Sequence, residues 1–329
     1  MAYEQERAAA VEAVRMASAV CTAVQARLVA GATLTKGDRS PVTVADFGAQ
    51  AIVSHHLALA FPDVPLVGEE DADALRQDEN AALKDNVIGA VRSQLAGLSE
   101  ADILAAIDRG THEGGPTGRH WVLDPIDGTK GFLRLDQYAV ALGLIEDGEV
   151  VLGVLGCPNL PLDADNPDGP RGCMFIATKG GGATMRALDS TDETPVRVTD
   201  VSDPSLARFC ESVEKAHSSH SHSAQIADRL GITAPPFRID SQCKYAAVAR
   251  GDASVYLRLP TRKGYVEKIW DHAAGWRVIV EAGGSVTDVY GKPLDFSIGR
   301  GLESNKGVIV TNGTLQAPVL EAVAAVLGL

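Results

Sequence analysis

From Gln5 to Ala30 the positions Val11, Val14, Ser18, Cys21, Val24 and Leu28 recur every three or four residues, and this spacing predicts a long amphipathic helix. A polar stretch with Gly37 and Pro41 ends it. VTVADFGAQAIVSHHLALAF then predicts a second helix, led by Thr43 and Asp46 and ending near Pro62. LVGEEDADAL is a short apolar run entering an acidic segment, Asp78 to Arg109 reads as helix, and THEGGPTGR as loop. The pattern then shortens. WVLD predicts a buried strand stopping at Pro125. YAVALGLIEDGEVVLGVLGC predicts two strands about an Asp147-Gly148 turn, and CMFIAT predicts another before the run Gly180 to Gly182. TPVRVTDVSDPS is the expected domain boundary. Beyond it, strands at RFCESVE, ASVYLRL and KGVIVTN alternate with helices at SAQIADRLG, AGWRVIVEAGG and the C-terminus, the alternation of an α/β unit.

Composition narrows the class. The chain has 329 residues, 45% apolar and 22% charged, ordinary values for a globular protein. No apolar run reaches the roughly 18 residues of a membrane helix, and the start MAYEQERAAA lacks the features of a secretory signal. With 30 basic and 43 acidic residues the formal charge is −13, which disfavours binding to long nucleic acid through phosphates. The five cysteines, Cys21, Cys157, Cys173, Cys210 and Cys243, are odd in number and widely spaced. Free thiols in a reducing, cytoplasmic setting are expected, rather than disulfides or a zinc site.

The strongest chemical signal is WVLDPIDGTKGF. Asp124 ends an apolar strand, Asp127 follows across a tight turn, and Gly128 removes bulk. Two acids on one turn repel unless a cation lies between them, and the Ile126 carbonyl offers a third oxygen. Glu69 and Glu70 in GEED form a second acidic element, although charge runs are usually solvated loops. Asp271 precedes an apolar helix, where it serves either as a cap or as an ionised ligand favoured by the helix N-terminus. Asp46 either caps a helix with Thr43 or accepts a proton from a water held by Thr129.

In this order GEE, WxLDPIDGTxxF and WDxAAGxxIVxEAGG resemble the lithium-sensitive, magnesium-dependent inositol monophosphatase-like superfamily over nearly the whole chain. DPIDGTKGFLR, the helical insert between Glu69 and Asp124, VEKAHSSHS, DSQCKY, VYLRLP and EKIWDHAAG most resemble its bisphosphate nucleotidase branch. The resemblance implies a layered αβαβα sandwich of the inositol monophosphatase and sugar phosphatase type, of α+β and α/β character. An N-terminal domain (1–195) would carry most metal ligands. A C-terminal domain (196–329) would carry the nucleotide-binding residues and the last ligand.

It further implies that Glu69, Asp124 and the Ile126 carbonyl hold one Mg²⁺ and that Asp124, Asp127 and Asp271 hold a second, with two or three ions in all. An all-oxygen donor set suits that ion. By the same resemblance Asp46 and Thr129 activate water, Gly128 and Thr129 cradle phosphate, and His217, Ser218, Ser241, Lys244, Arg258 and Asp271 meet the nucleotide. The expected reaction is removal of the 3′-phosphate from adenosine 3′,5′-bisphosphate, and from its sulfate-bearing analogue, by a monomer. An inositol polyphosphate 1-phosphatase and a non-catalytic nucleotide sensor remain the alternatives. His217, His220 and His222 lack the Cys or carboxylate that would complete a transition-metal set.

Overall fold

The computed structural model describes residues 3–29, 40–213, 220–260 and 264–329. Its first layer is helical: α1 (Glu4–Val29), α2 (Ser40–Ala60), α3 (Ala81–Gln94) and α4 (Glu100–Asp108). α1 presents Ala10, Ala13, Val14, Ala17 and Cys21, all fully buried, to its neighbours. Such short side chains allow close helix packing.

Beneath these helices lies a seven-stranded sheet in sequence order. Its strands are β1 (Leu66–Gly68), β2 (Arg119–Asp127), β3 (Ala139–Glu146), β4 (Glu149–Pro161), β5 (Arg171–Thr178), β6 (Gly182–Ala187) and β7 (Thr194–Pro195). β1 runs parallel to β2, and the remaining pairs are antiparallel. β4 is buried almost throughout, the mark of a sheet covered on both faces. Its glycines show where the helices press. A Cβ at Gly156 would lie 2.7 Å from Val14 of α1, and one at Gly153 would lie 2.4 Å from the Ala274 carbonyl on the opposite face.

That opposite face carries α7 (Cys243–Arg250) and α8 (Ala273–Glu281), which also pack on a second sheet. The second sheet has the order β11-β12-β10-β8-β9, from β8 (Phe209–Glu211), β9 (Phe237–Arg238), β10 (Val255–Arg258), β11 (Ser285–Thr287) and β12 (Val308–Thr311). α6 (His220–Leu230) and α9 (Gln316–Leu327) close its outer side through a separate apolar cluster that includes Ile226, Phe209 and Val319. The result is helix, sheet, helix, sheet, helix: the αβαβα sandwich. A short helix, α5 (Thr129–Leu133), follows β2.

Local differences from the sequence reading have physical causes. The stretch 78–109 is two helices, because Gly97 turns at φ 93° and Ser99 with Asp102 forms a capping box. β2 does not stop at Pro125. It runs on to Asp127, with its register against β3 broken between Asp124 and Asp127, as expected where proline offers no N–H. Pro41 does not lie in a polar break but in the first turn of α2, a position where proline is tolerated. Asp46 sits well inside α2 and is buried, so it is not a cap. All five cysteines are buried and free. Among the described residues no helix is long and apolar enough to cross a membrane.

Candidate active site

The ends of β1, β2 and β10, the start of α5 and the turn before α8 converge on one cavity of about 480 Å³. Its wall includes Glu69, Asp124, Ile126, Asp127, Gly128, Thr129, Ser241, Lys244, Arg258 and Asp271. Asp46 is not on that wall. It is buried in α2, close enough for Glu70 and Glu69 to act on its charge. His217 and Ser218 fall outside the described residues, as does the side chain of His220.

Side-chain clamps fix the loops. From α2, Gln50 donates through Nε2 to the carbonyls of Glu70 and Ile107, while Glu70 N donates to Gln50 Oε1 at 3.1 Å. From the far half of the chain, Arg300 donates to the Gly68 carbonyl at 2.6 Å and to the carbonyls of Gly110 and His112. Glu69 is therefore carried on backbone gripped from both sides. Gln242 donates to the Trp270 carbonyl at 2.9 Å and accepts from Gly275 N at 3.2 Å, which sets Asp271 between two fixed points. The DPIDG turn meets the second half of the chain at Gly128. Its φ is 94°, and a Cβ there would come within 2.8 Å of Ser241 Cβ, so only glycine fits.

The cavity has an acidic end, where Glu69, Asp124, Asp127 and Asp271 gather, and two basic side chains stand close beside these acids. Burial, then Glu69, Asp127 and Asp271, push the Asp124 carboxyl far above the usual range. Desolvation and then Asp271 raise Asp127 to about 6, against the pull of Lys244 and Arg258. Glu69 is raised to about 8 by desolvation and then by Asp271, Glu70 and Asp127. Glu69 is also exposed to solvent, so water screens part of that effect. Asp46 is raised by burial and then by Glu70 and Glu69. Facing these acids, Lys244 is buried, lies 5.2 Å from the Tyr256 ring and has its pKa lowered by desolvation. Arg258 reaches Asp271 at 3.0 Å and Glu267 at 2.8 Å.

A cation fits the acidic end. Asp124 Oδ1 is buried with no hydrogen-bond partner, an arrangement that costs free energy. It stands among Glu69, Asp127 and Asp271, all of them oxygen donors, and a hard divalent ion would satisfy it. Glu267, Asp271 and His272 also bring ligand atoms within 4.8 Å of one another, but Arg258 already bridges their two carboxylates.

The same wall includes Lys130, Ser212, Asp240, Tyr256, Tyr265, Lys268 and Trp270, none of which sequence reasoning singled out as a site residue. Lys130 lies inside DPIDGTKGFLR, Asp240 inside DSQCKY, Tyr256 inside VYLRLP, and Lys268 and Trp270 inside EKIWDHAAG, so membership of these motifs was the signal available for them.

The inositol monophosphatase family profile matches residues 2–326, and the chain belongs to that family. Its relatives include a 3′(2′),5′-bisphosphate nucleotidase 1 of Arabidopsis thaliana, 52% identical over 98% of this chain and 96% of the relative. A 3′(2′),5′-bisphosphate nucleotidase of Oryza sativa is 48% identical over 98% and 94%, and one of Schizosaccharomyces pombe is 45% identical over 99% and 97%. Among solved structures, an inositol monophosphatase from Anabaena superposes with a TM-score of 0.63 at 21% identity, covering 99% of this chain and 97% of its own. That likeness establishes the fold.

Proposed function

We propose that this chain hydrolyses the 3′-phosphate of adenosine 3′,5′-bisphosphate to AMP and phosphate, and acts also on 3′-phosphoadenylyl sulfate. Near full-length relatives named as bisphosphate nucleotidases support the reaction. The observation that carries it is the partnerless, buried Asp124 Oδ1 beside Glu69, Asp127 and Asp271, in a cavity whose wall also offers Lys244 and Arg258. Such a cavity suits a substrate with two phosphates, one to be cleaved and one to be held.

Glu69, Asp124, Asp127, Asp271 and the Ile126 carbonyl would hold two or three Mg²⁺ ions. When bound, these would neutralise phosphate charge and acidify water. The amides of Gly128 and Thr129 donate to oxygens of the cleaved phosphate. Thr129 is exposed on the cavity wall and orients the attacking water through its hydroxyl. Asp46, on the helix that packs against α5, accepts the proton. Lys244 and Arg258 bind the phosphate that is not cleaved through charge-assisted bonds. Ser241 contacts the nucleotide, and His217 and Ser218 are proposed to join it.

The test is phosphate release from adenosine 3′,5′-bisphosphate with Mg²⁺. Asp127→Asn and Asp46→Asn are expected to lose about 100-fold or more in kcat, the scale of a lost base or ligand. Near-full rates in both would overturn these assignments.

A further inference from the structure

Arg258 stands in the wall between two cavities. It lines the active-site cavity, and it also lines a neighbour of about 820 Å³ bounded by Glu267, Tyr290, Lys292 and Asn305. Glu267 faces the neighbour and is absent from the active-site wall. It therefore grips the arginine from behind.

The grip is itself held. The Glu267 side chain is 8% exposed and receives Arg258 Nε at 2.8 Å. Its Oε2 also meets His272 Nε2 at 3.3 Å, and His272 Nδ1 meets the Tyr245 hydroxyl at 2.7 Å. Tyr245 has no room to shift, because its ring fills the space at Gly275, where a Cβ would come within 2.4 Å of a ring carbon. A buried carboxylate locked in this way fixes the ligand-binding group it touches, as outer partners fix a metal ligand.

Arg258 has a second carboxylate in reach. Its Nη2 donates to Asp271 Oδ2 at 3.0 Å. With Glu267 lost, Asp271 would be the one ion-paired carboxylate left to it among the described residues, with Asp127 also near. Attraction would then draw the guanidinium further onto Asp271, away from a bound phosphate. Two carboxylates also cancel most of the long-range field of Arg258. Its hold on a phosphate then depends on the direction of its N–H groups more than on bare charge.

We propose that Glu267 is the positioning residue for Arg258: by taking Nε it aims the guanidinium at the uncleaved phosphate of the substrate. This rests on the bisphosphate reading above.

Kinetics on adenosine 3′,5′-bisphosphate and on adenosine 3′-monophosphate, which lacks the second phosphate, test it. Glu267→Gln should raise KM for the bisphosphate about tenfold, the scale of one charge-assisted bond, with a much smaller change in kcat. The loss in kcat/KM should be about tenfold greater for the bisphosphate than for the monophosphate. In an Arg258→Gln background the same change should add less than about twofold, because coupled residues are non-additive. Tyr245→Phe keeps every charge and should show a smaller selective rise, which guards against a Glu267 variant that fails to fold. Equal losses on both substrates, full additivity, or a lower KM from removal of a negative charge would each overturn the proposal. Selective loss in Arg258→Gln but not in Glu267→Gln would overturn it alone. A wild-type protein inert toward the bisphosphate would overturn the substrate reading and this proposal together.

Discussion

Removing an acid from the cation site should stabilise the metal-free protein while abolishing its activity. Asp127 is the informative position, since its carboxyl is raised to about 6 by desolvation and by Asp271. A carboxyl has a pKa near 3.9 in the unfolded chain. Its folded value is raised, so the folded state binds the extra proton between these two values, and stability falls as pH rises through that window. Above pH 6 the penalty is complete. At about 1.4 kcal/mol per unit it approaches 3 kcal/mol, and the partial exposure of Asp127 to cavity water reduces this to about 1–2 kcal/mol. Asp127→Asn removes the penalty and leaves an acceptor for the Gln242 backbone N–H, which donates to the Asp127 carboxylate. In chelated buffer at pH 8 the variant should therefore melt about 1.5–3 °C above wild type, given the large unfolding entropy of a chain of 329 residues. Near pH 4 the two should coincide. Added Mg²⁺ should raise the wild-type melting temperature more than that of the variant. Thermal denaturation followed by circular dichroism measures all three. A lower melting temperature for the variant at pH 8, or equal stabilisation at both pH values, would refute the electrostatic reasoning.

Other perturbations reach the site through its supports. Gly128→Ala forces a side chain into φ 94° and against Ser241 and should cost about 2 kcal/mol in urea denaturation, with activity lost along with the turn. Gln50→Ala frees the backbone at Glu70 and leaves the Ile107 carbonyl without its amide donor. It should weaken Mg²⁺ affinity about tenfold by calorimetry, as loss of an outer partner does, while the overall circular dichroism spectrum is retained. Arg300→Ala, which removes the opposing grip on the Gly68 carbonyl, should act in the same direction and should not add fully to Gln50→Ala.

Elements that repeat over many residues were legible in the sequence. α1 and α2 have enough turns for periodicity to speak, and Asp147-Gly148 marks the hairpin between β3 and β4 because both residues take positive φ there. α7 was missed: it is eight residues long and buried at every position but Arg250, so it has no exposed polar face to produce a period. β9 and β11 have two and three residues and exist only through pairing with neighbours. The passage of β2 through Pro125 was hidden for a similar reason, since partner strands decide where a strand with a register break ends. At the site, acids far apart in sequence proved to share one cavity wall, because the motif order marked the ends of β1, β2 and the turn before α8. Asp46 was left open between a cap and a base, and its burial inside α2 follows from the packing of that helix. Glu267 went unnoticed because its meaning lies in Arg258, nine positions earlier and on a different element.

The central claim is that the acidic end of this cavity is a cage for hard divalent cations. Crystals grown with Mn²⁺ and AMP, examined by anomalous scattering, test it most directly. The claim predicts peaks about 2.0–2.3 Å from carboxylate oxygens, one of them beside Asp124 Oδ1 and shared with Glu69, Asp127 or Asp271. Manganese bound elsewhere, with Asp124 Oδ1 still without a partner, would contradict it.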